Sequence, residues 1–141
     1  MVDPRGQRFA AAVTTAVLAL VLLTGSAWLL LAQAAVFATA AVAGVAASPY
    51  ARLFARLVRP RLDPPTEYED ARPPRFAQLV GLLFATAGLV GLVAGWPFLA
   101  YSAVGAALAA AFLNAAFGLC LGCEIYLAIR RTIPQLTEVT R

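Results

Sequence analysis

The chain has 141 residues, 62% of them hydrophobic and 13% charged, with a mean hydropathy of +0.80; this excludes an ordinary soluble domain and indicates an integral membrane protein. The formal charge is +4 and all 11 basic residues are arginine, but no basic motif is interleaved with exposed aromatics, so the charge marks a membrane side and not a nucleic-acid footprint. The absence of histidine excludes histidine acid/base catalysis, histidine metal ligands and any Ser-His-Asp triad.

In chain order, a short polar head carries Arg5 and Arg8, and no charged residue follows until Arg52. That run holds two membrane spans, because a crossing needs about 20 residues and Thr24-Gly25-Ser26 supplies a turn, with Trp28 after it as an interfacial anchor. Helices are expected over residues 9–23 and 27–47. A cleaved signal peptide is the rival reading of the first segment, since a basic head, an apolar core and small residues near Ser26 fit it. Against it, a second apolar run follows directly, without the polar start of a secreted domain.

Residues 48–75 are an amphipathic linker. Arg52, Arg56, Arg59 and Arg61 are interleaved with Tyr50, Leu53, Phe54, Leu57 and Val58, the pattern of a short helix lying along an anionic leaflet and ended by Pro60 and Pro64-Pro65. A solvated extension of the second helix shares this pattern. Thr66 to Arg75, with Glu67, Glu69, Asp70 and Arg72, reads as a solvent loop. The third helix, residues 76–94, carries Gly81, Gly88 and Gly91, small residues that let helix backbones approach closely in lipid. Gly91 and Gly95 form a G-x-x-x-G that is either a packing face or ordinary membrane-helix glycine content. After a turn at Gly95-Trp96-Pro97, the fourth helix, residues 98–129, is too long for one crossing and must tilt, kink or overhang.

The elements give an all-α integral membrane protein, a single domain of four transmembrane helices in two tandem hairpins. Arg8-Phe9-Ala10 answers Arg75-Phe76-Ala77, and Gly25 with Trp28 answers Gly95-Trp96, so the halves read as a 2+2 repeat about an axis along the membrane normal. All arginines lie in the head, the linker or the tail, which predicts N- and C-termini in the cytoplasm and a multi-pass protein of the cell (inner) membrane. Its partner is the lipid bilayer, with no nucleic acid, and four thin Ala- and Gly-rich helices suggest a homodimer.

Chemistry concentrates where both cysteines stand, Cys120-Leu121-Gly122-Cys123, in C-x-x-C spacing. Residues three apart meet over one helical turn, and counting inward from Trp96 places the pair at the inner boundary of the membrane. A reactive thiol needs a helix N-terminus or a cation to favour its thiolate, and Asn114 with Gly118 offers a break after which a new helix begins just before Cys120. Glu124 is either a proton acceptor, a partner of Arg130 or Arg131, or a solvated interfacial carboxylate. Asn114 is a ligand for substrate or a polar clasp between helices, and Tyr126 a substrate contact or an interfacial anchor. Packing alone is the bland reading of the cysteines. A structural disulfide is not expected on the cytoplasmic side, and zinc is short of ligands in one chain, so no cofactor or metal is expected.

The stretch Asn114-Ala115-Ala116-Phe117-Gly118-Leu119-Cys120-Leu121-Gly122-Cys123-Glu124-Ile125-Tyr126 resembles the signature of a bacterial family of small membrane proteins common in actinobacteria, domain of unknown function number 4395. The resemblance runs from Asp3-Pro4-Arg5 through Arg75-Phe76 to the C-x-x-C helix. It implies a context of neighbouring thioredoxin-like proteins and rhodanese-type sulfurtransferases, and so thiol or sulfane-sulfur chemistry with Cys120 and Cys123 as the active pair. Three functions remain open. The pair is a membrane thiol/disulfide or sulfane-sulfur relay; or the helices transport a small sulfur compound, with Gln33, Thr39 and Asn114 converging on a cavity; or the chain is a non-catalytic accessory subunit of a membrane complex.

Overall fold

The computed structural model describes residues 3–64, 68 and 70–132, all of whose regular structure is helical. Glu67, Glu69 and the tail beyond residue 132 lie outside the described residues. Helix α1 spans Pro4–Thr24, α2 Ala27–Ala43, α3 Pro49–Leu53, α4 Arg72–Ala94, α5 Pro97–Phe117 and α6 Leu121–Thr132. A 3-10 turn, Val45–Ala47, joins α2 to α3, and α3 runs on through a π turn, Phe54–Val58, and a 3-10 turn, Arg59–Arg61.

Three helices, α1, α4 and α5, with 21, 23 and 21 residues, are long and apolar enough to cross a membrane. Helix α2 is also apolar but has 17 residues, about 26 Å at about 1.5 Å per residue, against a hydrocarbon core about 30 Å thick. It stops at Ala43, four residues short of the expected end, because Gly44 turns the chain with φ 106°. Helices α1 and α4 begin before the apolar runs. Asp3 and Asp70 each accept a hydrogen bond from the backbone N–H two residues on, at 3.0 and 2.9 Å, and prolines fill first-turn positions that need no donor.

The bundle core is one cluster of Leu18 and Val21 from α1, Leu30, Ala34 and Phe37 from α2, Ala85 from α4, and Val104 and Ala107 from α5. Thus α1, the segment with a rival reading as a leader, supplies two core side chains. It packs mainly on α5, α2 mainly on α4, and α4 on α5. The hairpin turn between α4 and α5 is tight because a Cβ at Gly91 would lie 2.6 Å from the Ala100 backbone nitrogen. Gly95 instead forms the turn with nothing near it, so the G-x-x-x-G pair is one packing residue and one turn residue. Around the two hairpin turns Leu23, Trp28, Val93 and Phe98 are each at least 80% exposed, an apolar girdle suited to lipid and not to water.

The arginine end is tied together by long side chains. Arg75 donates to the last carbonyls of α2, Ala41 and Val42, and Arg8 to those of α5, Ala115 and Ala116. Both satisfy helix-end acceptors that have no partner within their own helix. The segment from Pro49 to Arg61 is a separate element and not an overhang of α2. Phe54 is 2% exposed and stacks on Phe9 of α1 at 5.6 Å, leaving Leu53, Leu57 and the arginines outward.

Candidate functional site

The long helix expected over residues 98–129 is two helices. Gly118 adopts φ 68°, its N–H donates to the Asn114 carbonyl at 2.9 Å, and α5 ends there with Arg8 on its terminal carbonyls. A left-handed residue of this kind closes a helix at little steric expense only as glycine. The helix restarts three residues later, at Leu121. Cys120 immediately precedes α6, its carbonyl accepts from the Glu124 N–H at 3.0 Å, and its Sγ accepts from the Cys123 N–H at 3.2 Å. Cys120 therefore occupies the capping position at which serine or aspartate oxygens usually satisfy a free helix-end donor.

Cys120 and Cys123 form a disulfide, Cα to Cα 5.2 Å. The sequence argues against a structural disulfide here, and the bond is the oxidised form that the thiol/disulfide reading of the pair includes. A stabilising cross-link is worth about 3 kcal/mol for a 15-residue loop and less for a shorter one, so closing three residues of sequence separation adds little as a staple. What the spacing does supply is an oxidised dithiol at a helix N-terminus, where the partial positive charge and free N–H groups favour a thiolate on reduction.

Helix α6 lies on the start of α4. A Cβ at Gly122 would sit 2.6 Å from Ala77 Cα, so the helices touch backbone to backbone there. One turn on, the Tyr126 ring lies 5.6 Å from Phe76, and the Arg130 guanidinium 5.7 Å from the Tyr126 ring. These contacts hold Cys120 where two cavities meet. The outer one, about 240 Å³, has Arg8, Gly118 and Cys123 in its wall; the inner one, about 300 Å³, extends between α1, α4, α5 and α6 towards Thr14, Phe84 and Ala106. Gln7, Gln78, Asn114 and Cys120 belong to both walls, whereas Cys123 faces only the outer one.

Of the residues singled out from sequence, the fold brings Cys120, Cys123 and Asn114 together. Glu124 is exposed in the first turn of α6 and lines neither cavity; Tyr126 is half-buried against Phe76 and lines neither. The polar trio of the transport reading does not converge. Thr39 is exposed and donates to the Ala35 carbonyl, and Gln33, 1% exposed, accepts from the Tyr50 hydroxyl at 2.6 Å. Burial pushes the Tyr50 phenol up from its ordinary value, which keeps it a donor to Gln33. Sequence reading missed Gln7, Gln78 and Arg8. Gln78 carried a usable signal, since an amide in an apolar helix must meet a polar partner or a cavity.

The disulfide leaves neither sulfur as a thiolate metal ligand, and no cluster of three His, Cys, Asp or Glu forms among the described residues. No curated protein and no solved structure matches the chain. A family's sequence model does match, over residues 2–131, nearly the full length and including both cysteines. The chain belongs to that family, the Domain of unknown function (DUF4395).

Proposed function

We propose that this protein is a membrane thiol–disulfide exchanger whose Cys120–Cys123 pair takes electrons from a soluble dithiol protein of the thioredoxin kind. The observation that carries the reading is the position of Cys120, capping α6 through its sulfur between an outer mouth and an inner cavity. An incoming thiolate attacks Cys123 Sγ from the outer mouth, and Cys120 leaves as the thiolate. The better-stabilised thiolate leaves faster, and Cys120 Sγ already accepts an N–H at the helix N-terminus. The second thiol of the donor then breaks the mixed disulfide, so one dithiol becomes a disulfide and one disulfide a dithiol.

The same reading takes the chain as four spans in two repeated hairpins, with α2 completed by the turn after it. The arginine end faces the cytoplasm of a cell membrane, where the soluble donor and anionic headgroups meet it. The exchanged caps, Arg8 on α5 and Arg75 on α2, support the repeat.

Alkylation mass spectrometry of Cys120 and Cys123 in native membranes, equilibrated with thioredoxin redox buffers, tests the proposal. The expected result is a reversible two-electron couple in which both thiols appear and vanish together. A pair that stays unexchanged until detergent unfolding overturns it; an added sulfur after thiosulfate exposure replaces it with a sulfane-sulfur relay.

A further inference from the structure

The inner cavity is more than the underside of the disulfide. It runs beside α5 from Asn114 to Ala106, about 12 Å at about 1.5 Å per residue, and its volume of about 300 Å³ falls at the small end of ligand sites. Among the described residues no charged side chain lines it. Its polar groups are the Thr14 hydroxyl and three amides, Gln7, Gln78 and Asn114, gathered at the Cys120 end. At its rim Phe84, Leu121 and Ile125 are 40%, 38% and 48% exposed, so in a bilayer the opening faces lipid and not water.

These features select the ligand's chemistry. An anion entering here loses its hydration with no cation to replace it, which disfavours thiosulfate, sulfite or a free thiolate. A neutral compound with carbonyl oxygens finds amide donors beside the cysteines and apolar walls behind, and one carrying a hydrocarbon tail leaves that tail in the bilayer. A dithiol at the polar end requires a two-electron acceptor. We infer that the inner cavity receives the head group of a lipid-soluble quinone, which reoxidises the Cys120–Cys123 dithiol; this rests on the thiol-exchange reading of the pair. The two thiols lose two electrons and two protons as one S–S bond forms. The quinone gains both electrons and both protons and leaves as the hydroquinone. Gln78 and Asn114 bind the carbonyl end, and Cys120, which lines both cavities, passes electrons between the outer donor and the inner acceptor.

The test uses the full chain in quinone-free nanodiscs, reduced with dithiothreitol and then freed of it. Added decylubiquinone is expected to yield one hydroquinone and one disulfide per chain, read by absorbance and mass spectrometry. Filling the cavity with Ala110→Phe abolishes this, and Asn114→Leu, which keeps the volume, slows it about fivefold, the loss of one hydrogen bond. Equilibrium dialysis of decylubiquinone against the Cys120→Ser/Cys123→Ser chain reads binding without turnover. If dithiothreitol reduces the pair but decylubiquinone neither oxidises it nor binds above empty nanodiscs, the cavity holds only acyl chain and the inference is overturned while the exchange reading stands. If dithiothreitol leaves the disulfide intact in the folded chain, the exchange reading falls and takes the electron transfer with it.

Discussion

Helices α2 and α5 end alike and lead to different places. Each is closed by a glycine of positive φ, Gly44 at 106° and Gly118 at 68°, and each has its terminal carbonyls covered by an arginine from the other half of the chain. Each is followed by a helix whose capping side chain accepts the N–H three residues on, Ser48 from Ala51 at 3.1 Å and Cys120 from Cys123 at 3.2 Å. Each of those helices lays an aromatic ring on the spans, Phe54 on Phe9 and Tyr126 on Phe76, both at 5.6 Å with an arginine 5.7 Å from the ring. The difference lies in three positions. Serine, tyrosine and alanine at the cap and two and three residues beyond it become cysteine, glycine and cysteine. Where Tyr50 reaches in to bond Gln33, Gly122 instead lets α6 meet the Ala77 backbone, and a cavity lies beside that contact. One frame thus carries a polar clasp in one half and a disulfide in the other.

The sharpest way to break the comparison is to make the second half like the first. Cys120→Ser is expected to abolish dithiol exchange, measured by alkylation, yet to leave thermal stability within about 1 kcal/mol, because serine caps a helix as Ser48 does. Cys120→Ala loses the cap as well and unfolds about 1 kcal/mol more easily. Residual exchange by the serine variant would remove Cys120 from the mechanism. Next in size, Gly122→Ala drives a methyl into the Ala77 backbone and is expected to lower stability by about 1–3 kcal/mol in thermal unfolding, with α6 displaced and the pair exposed to faster alkylation.

On the other half, Tyr50→Phe leaves the Gln33 oxygen as unpaired as its Nε2 already is, an expected loss of about 1–2 kcal/mol in the same assay. Adding Gln33→Leu is expected to recover most of that loss, since both polar partners are then gone; an additive double variant would show that the clasp does not couple the two residues. The smallest effect concerns Asp70, held at about 2 against an ordinary 3.8 first by its side-chain hydrogen bond with Arg72. Its folded value is the lower one, so the contribution is present above pH 3.8 and is lost as pH falls through about 2. The pair is half exposed, so water weakens it, and Asp70→Asn is expected to flatten only slightly the acid limb of an unfolding titration.

What the sequence determined by itself was everything encoded locally. Apolar runs of span length required helices, Gly25 and Gly95 placed the hairpin turns, the arginines marked one end, and Gly118 ahead of C-x-x-C offered a helix restart that the structure contains. These follow from neighbours a few residues apart, where periodicity and turn chemistry act. Boundaries failed where charge and proline sit inside first turns, as at Arg5 and Arg72, because a helix start tolerates what its middle does not. Only the tertiary structure decided that α6 folds back on Ala77, that Arg8 and Arg75 cap helices of the opposite half, and that Gln7 and Gln78 stand beside Cys120. Each of those joins residues more than 30 positions apart. A cavity is a property of what several helices leave unfilled, and no single stretch of chain carries that information.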